Sequence, residues 1–148
     1  MTSIAIVVAQ VIALLTVMWP WHAQRFSAWG FVFITIAMAL KAWMLWHNRP
    51  SNFSVLPEPR EDARLITSGP YRHVRHPLYT GLMLFALGCA IGWSTWIHWV
   101  AAAALALVLH CKARREESLL ALRFADYHAY AARTGRFVPT WRQLSGSQ

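Results

Sequence analysis

A chain of 148 residues with 57% apolar and only 14% charged content has the length of one domain but is too apolar for an ordinary water-soluble one. The net charge of +8 would suit nucleic acid, yet the basic residues gather in two segments that adjoin apolar runs, which argues for membrane flanks and against a nucleic-acid partner. Nine tryptophans fit interfacial anchoring, and Cys89 and Cys111 show neither metal-ligand spacing nor a disulfide framework.

Residues 3–19 are apolar apart from Gln10 and Thr16, close to the length that crosses a bilayer, and lack the basic start and small-residue cleavage site of a signal peptide. Pro20 ends this run. A second run covers 27–47, with Lys41 near enough to its end to snorkel along its own methylene stem. Residues 48–76 form the one long polar segment between runs, with five arginines and four of the seven prolines, so extended or turned backbone is expected. A third run, 78–93, contains the pair Gly88 and Gly92, a close-approach spacing expected to face the alanines at 101–104 of the fourth run, 96–110. From Cys111 the chain turns charged, and Leu120, Phe124, Tyr127 and Ala131 recur at helical spacing, predicting an amphipathic helix that continues from the fourth run and ends at Gly135.

The expected fold is therefore all-α: a single polytopic membrane domain over 1–148 with four transmembrane helices, a cytoplasmic loop and a C-terminal amphipathic helix. Lys and Arg concentrate in the 48–76 loop and after residue 111, whereas the outer turns have only Arg25. The positive-inside rule then puts both termini on the cytoplasmic side of the inner membrane.

The densest chemistry lies at 69–81, where Gly69, Pro70, Tyr71, Arg72, His73, Arg75, His76, Pro77 and Tyr79 crowd the start of the third run. Pro77 suits a first helical turn, which leaves Arg75 and His76 at a helix mouth that attracts anions. Runs three and four, joined by two residues, form an antiparallel hairpin, so Arg75 and His76 come to the same face as Glu116 and Glu117. Paired carboxylates, paired cations and the aromatics Tyr71 and Tyr79 describe a pocket for a zwitterion with a flat apolar part, and S-adenosylmethionine is such a ligand. The plainer reading of the glutamates is an exposed helix face on which Lys112 pairs with Glu116 and Arg114 with Glu117.

These residues carry a resemblance. Arg75-His-Pro-Leu-Tyr-Thr-Gly81, then Glu116-Glu117, Phe124, Tyr127, Tyr130 and Arg136-Phe-Val-Pro139, resemble the membrane methyltransferases of the isoprenylcysteine carboxyl methyltransferase and phospholipid methyltransferase group, over roughly 64–139. The resemblance implies an S-adenosylmethionine site formed by Leu65, Ile66, Gly69, Tyr71, His76, Tyr79, Glu116 and Glu117. Arg75, with Lys112 and Arg133, would face a lipophilic acceptor drawn from the bilayer, such as the carboxylate or amine of a prenylated or acylated molecule. Ala125 stands where many members have Gly.

Three other readings compete. His73 and His76 have a metal-like spacing, but Pro77 and the surrounding arginines disfavour a cation there. His47, His98 and His110 lie in or at the ends of apolar runs and offer haem ligands, which would make the chain a haem- or lipid-binding protein without enzymatic activity. A nicotinamide-dependent membrane reductase is the enzymatic alternative, although no distinct phosphate cradle is present.

Overall fold

Thr2 accepts a hydrogen bond from the Ala5 amide through Oγ1 (3.3 Å) and so caps the first helix of the computed structural model, which describes residues 2–21, 25–47 and 65–140. Expectations about His22, the stretch 48–64 with Arg49, Arg60 and Arg64, and the tail from 141 lie outside those residues.

The described chain is all-α: α1 (Ser3–Met18), α2 (Ala28–His47), a 3-10 turn (Gly69–Arg72), α3 (Pro77–Trp93), α4 (Trp96–Arg123) and α5 (Tyr127–Arg133). The expectation of four transmembrane helices is corrected. Among the described residues only α2 and α4, of 20 and 28 residues, are long and apolar enough to cross a membrane. With 16 and 17 residues, α1 and α3 reach roughly 24 and 26 Å, short of a hydrocarbon core of about 30 Å. Their ends are fixed chemically. Pro20 follows α1 closely, Pro77 opens α3, and Ser94 stops α3 in the left-handed region at φ 53°. The two long apolar helices support membrane association.

Packing brings α2 against α3 and α1 against α4. Gly88 and Gly92, expected to face α4, instead meet α2. A Cβ on Gly88 would lie 2.9 Å from the Gly30 carbonyl oxygen, and one on Gly92 would run into the Phe26 ring. Gly30 supplies the matching small surface, and the Ser27 amide donates to the Gly92 carbonyl (2.9 Å), pinning the start of α2 to the end of α3. The alanines of α4 serve a different partner: Ala101, Leu105 and Leu109 form a buried core with Ala13 and Val17 of α1 and with Ala86 and Cys89 of α3.

His98 locks the opposite end of the bundle. It is fully buried, with Nδ1 2.6 Å from Thr95 Oγ1 and Nε2 3.0 Å from the Trp19 carbonyl oxygen, and it stacks on Trp93. Both ring nitrogens are thus engaged within the fold.

The charged stretch after Cys111 does not form a new element. Lys112 to Arg123 are good helix formers without Gly or Pro, so α4 runs on past its apolar part. The expected amphipathic stripe is then broken: Phe124 is extended, and Tyr127 and Ala131 belong to the short α5. Beyond α5 the chain returns to the start of α3 through a parallel bridge between Val74 and Gly135. The Arg75 amide donates to the Gly135 carbonyl (2.8 Å) and the His76 amide to the Arg136 carbonyl (3.1 Å). Gly135 is required here, since a Cβ would collide with the Val138 carbonyl oxygen.

Candidate active site

The corner is assembled from three segments: the approach to α3, the charged end of α4, and residues 134–137. Its centre is Glu117. Oε1 of Glu117 accepts from Arg75 Nε (2.9 Å), His76 Nε2 (3.0 Å) and Arg136 Nε (3.0 Å), while Oε2 accepts from Arg136 NH2 (2.6 Å). Only 12% of its side chain is exposed. Burial alone would push its carboxyl up, but the hydrogen bonds from His76, Arg136 and Arg75, with the charge of Arg75, hold it well below the usual carboxylate range. The same contact raises the Arg136 guanidinium. Glu117 therefore does not sit on an exposed face paired with Arg114, which was the plainer sequence reading.

Glu116 has the opposite character. Tyr79 donates its hydroxyl to Oε2 (2.8 Å), His76 Nδ1 lies 3.6 Å from the same oxygen, and 30% of the side chain faces solvent. An ionised carboxylate accepts at about four lone-pair sites, so Glu116 keeps acceptor capacity on its open side. His76 lies between the two glutamates, 6% exposed and stacked on the Tyr79 ring at 5.2 Å between centroids and 2° between planes. Its hydrogen bond to Glu117 requires a proton on Nε2, because a carboxylate only accepts.

Arg75 joins this cluster and reaches beyond it. Besides Glu117 it donates NH1 to the Ala131 carbonyl (2.7 Å) and to the Thr134 carbonyl, so its guanidinium ties α5 and the returning segment to the start of α3. Lys112 is buried; its Nζ donates to Gln10 Oε1 (3.0 Å) and lies 5.5 Å from the Tyr79 ring centroid. Arg133 does not converge: it is exposed and donates Nε to the Ala129 carbonyl one turn back on its own helix (3.1 Å). Gly69 occupies φ +59°, and a Cβ there would strike the His47 ring, whose Nε2 lies 3.0 Å from Ser68 Oγ. Tyr71 is held through its backbone, the carbonyl accepting from the Tyr130 hydroxyl (2.7 Å). Leu65 and Ile66 are half-buried in the irregular segment leading to the 3-10 turn, outside the hydrogen-bonded cluster.

Two residues beyond the expected set belong to the corner. Arg136 gives Glu117 its two-point contact, and its place beside Phe137 and Pro139 was the sequence signal for it. Tyr127 is 3% exposed, and its hydroxyl is the buried side-chain polar atom without a hydrogen-bond partner among the described residues. Burial raises both the Tyr127 and Tyr130 hydroxyls, so both stay neutral. An orphaned buried hydroxyl costs about 1–3 kcal/mol and points to a missing partner.

Beside the corner, α1, α2 and α3 enclose a cleft of about 250 Å³. Its walls include Leu14, Met38, Leu82 and Phe85, and its polar wall residue is Lys41.

The phospholipid methyltransferase family model matches residues 25–126. Over 81 residues, 54% of this chain, the sequence is 41% identical to the cobalt-zinc-cadmium resistance protein CzcN of Cupriavidus metallidurans. It is 36% identical, again over 81 residues, to the nickel-cobalt-cadmium resistance protein NccN of Alcaligenes xylosoxydans xylosoxydans. The matched stretch spans only 38% of each of these curated relatives. The family match supports methyl transfer from S-adenosylmethionine as the general class of reaction.

Proposed function

Since the chain belongs to the phospholipid methyltransferase family, we propose that it methylates a lipophilic acceptor, with S-adenosylmethionine held at the corner where α3 begins and the charged end of α4 passes. The observation that carries this reading is the division of labour between the two glutamates. Glu117 is saturated by Arg75, His76 and Arg136, whereas Glu116 is oriented by Tyr79 and keeps an open side. An ammonium group of an amino-acid moiety fits Glu116 as a charge-assisted hydrogen bond. The orphaned Tyr127 hydroxyl and the half-buried Tyr71 ring offer polar and aromatic neighbours to the rest of the cofactor.

The cofactor would supply an electrophilic methyl on a sulfonium: the S–CH3 bond breaks as an acceptor lone pair takes the methyl, and a neutral thioether leaves. What the chain must do is hold the two partners in line and keep water out. A carboxylate acceptor needs no base, whereas an amine must lose a proton, for which His73, exposed just before α3, is the candidate. Arg75 acts as an organiser in this reading, because its Nε is directed at Glu117 and its NH1 at two carbonyls. Lys112 supports the Tyr79 ring from beneath. The corner faces the cytoplasm in this reading, because the arginines and lysines gather there.

Calorimetry with purified protein tests the cofactor site. Glu116→Gln should weaken S-adenosylmethionine at least about tenfold, the worth of a hydrogen bond to a charged group. Unchanged affinity would remove the site from this corner.

A further inference from the structure

The cations to which the sequence points make contacts within the fold. Arg75, His76 and Arg136 all face Glu117, Lys112 is hydrogen-bonded to Gln10, and Arg133 turns back on its own helix. Lys41 is different. It is exposed on α2, lines the apolar cleft, and makes no hydrogen bond or ion pair with another described residue.

The register of α2 on α3 locates it. Gly30 lies against Gly88 and Ala37 against Gly81, so seven steps forward on α2 match seven steps back on α3. Lys41 therefore comes level with Pro77, the residue after His76. The cleft begins at that level and runs up α3 past Gly81 and Leu82 to Phe85, roughly 12 Å at about 1.5 Å per residue. At about 250 Å³ it is smaller than the pockets of about 300–1,000 Å³ that take drug-sized ligands, so it suits a single slim chain.

We infer that this cleft binds the apolar chain of an anionic amphiphile, with the carboxylate or phosphate of its head paired to Lys41 beside the His76 corner. Charge complementarity sets the choice of head: an anion gains a partner at a partly desolvated border, and an ammonium head meets a like charge. The bound molecule enters from the lipid side, since Met38 and Lys41 on the rim are exposed. That it is also the methyl acceptor rests on the function proposed above; its binding does not.

Native mass spectrometry of the full chain in neutral detergent, titrated with oleyl phosphate, oleyl alcohol and oleylamine, separates head from chain. Oleyl phosphate should bind at least about tenfold more tightly than the alcohol, and oleylamine should bind weakest. Lys41→Gln should bring oleyl phosphate down to the level of the alcohol without changing S-adenosylmethionine affinity. Leu82→Trp should fill the cleft and weaken the phosphate and the alcohol alike. Equal binding of all three heads to the unaltered protein, or a phosphate preference that survives Lys41→Gln, would overturn the site and leave Lys41 as an interfacial anchor. Loss of the cofactor reading with the Lys41-dependent preference intact would instead sink the proposed function alone.

Discussion

Arg136 grips Glu117 with two parallel contacts, Nε to Oε1 at 3.0 Å and NH2 to Oε2 at 2.6 Å, across a gap of nineteen residues in sequence. A planar guanidinium suits this two-point geometry and a lysine ammonium does not. Arg136→Lys should therefore destabilise the protein by about 1.5–3 kcal/mol and loosen the returning segment. Limited proteolysis would register the change as faster cutting after α5. Equal protection in the variant would show that Arg75 alone holds the segment.

Glu117 should leave a signature in acid. Its folded-state carboxyl is held below the usual range of about 4, so the folded form keeps its charge when the unfolded chain has already taken up a proton. Its stabilising contribution is complete above that range and is lost as pH falls toward the lower folded-state value. Melting curves in detergent should show a gap between the unaltered protein and Glu117→Gln that is constant near neutrality and narrows below about pH 4. A gap of the same size at pH 3 and pH 7 would remove the charged cluster as its cause.

Two glycines of α3 should respond unequally to the same substitution. A Cβ at Gly88 would sit 2.8 Å from Ile34 Cγ1 and 2.9 Å from the Gly30 oxygen, whereas one at Gly81 would find its nearest atom, the Ala37 oxygen, at 3.6 Å. Gly88→Ala should cost about 1–3 kcal/mol through overpacking, and Gly81→Ala should be neutral or slightly stabilising. Thermal shifts of the two variants, measured side by side, check the helix pairing directly.

Tyr79→Phe isolates one hydroxyl, the donor to Glu116 Oε2 at 2.8 Å. If Glu116 receives the cofactor ammonium, losing that donor frees the carboxylate to turn, and S-adenosylmethionine should bind about tenfold more weakly with the fold unchanged. The stacking of His76 on the ring survives the substitution. Isothermal titration beside a melting curve separates loss of orientation from loss of structure.

Orientation can be read by thiol labelling in a Cys111→Ser background. Trp96, 72% exposed at the start of α4, lies at the opposite end from the charged corner. Trp96→Cys should label from outside intact cells, and Ser118→Cys only after permeabilisation. The reverse pattern would invert the cytoplasmic assignment.

Much of the corner was legible because its parts are local: Pro77 opens α3, a two-residue turn makes the hairpin, and both features bring Arg75 and His76 to Glu116 and Glu117. The partners within that group were not legible. Sequence spacing offers Arg114 to Glu117, but the chain's return past Gly135 presents Arg136 instead, and nothing in a helical repeat announces a parallel bridge. The count of membrane-crossing helices failed for a related reason. Apolar runs at 3–19 and 78–93 read as spans by composition, yet the helices formed on them, Ser3–Met18 and Pro77–Trp93, have only 16 and 17 residues and fall short of bilayer thickness. Small-residue faces show that close packing will occur without saying where, so Gly88 and Gly92 found α2 rather than α4.

The clamp by which Arg75 holds the Thr134 carbonyl joins residues 59 positions apart. During synthesis, therefore, the entrance to α3 is made long before the chain that completes it. Until Thr134, Gly135 and Arg136 have left the ribosome, Glu117 lacks its two-point partner and the amides of Arg75 and His76 lack their acceptors. The nascent bundle can gather in the lipid while its charged corner is still unfinished, so competence would be conferred last, by the final few residues to close on it.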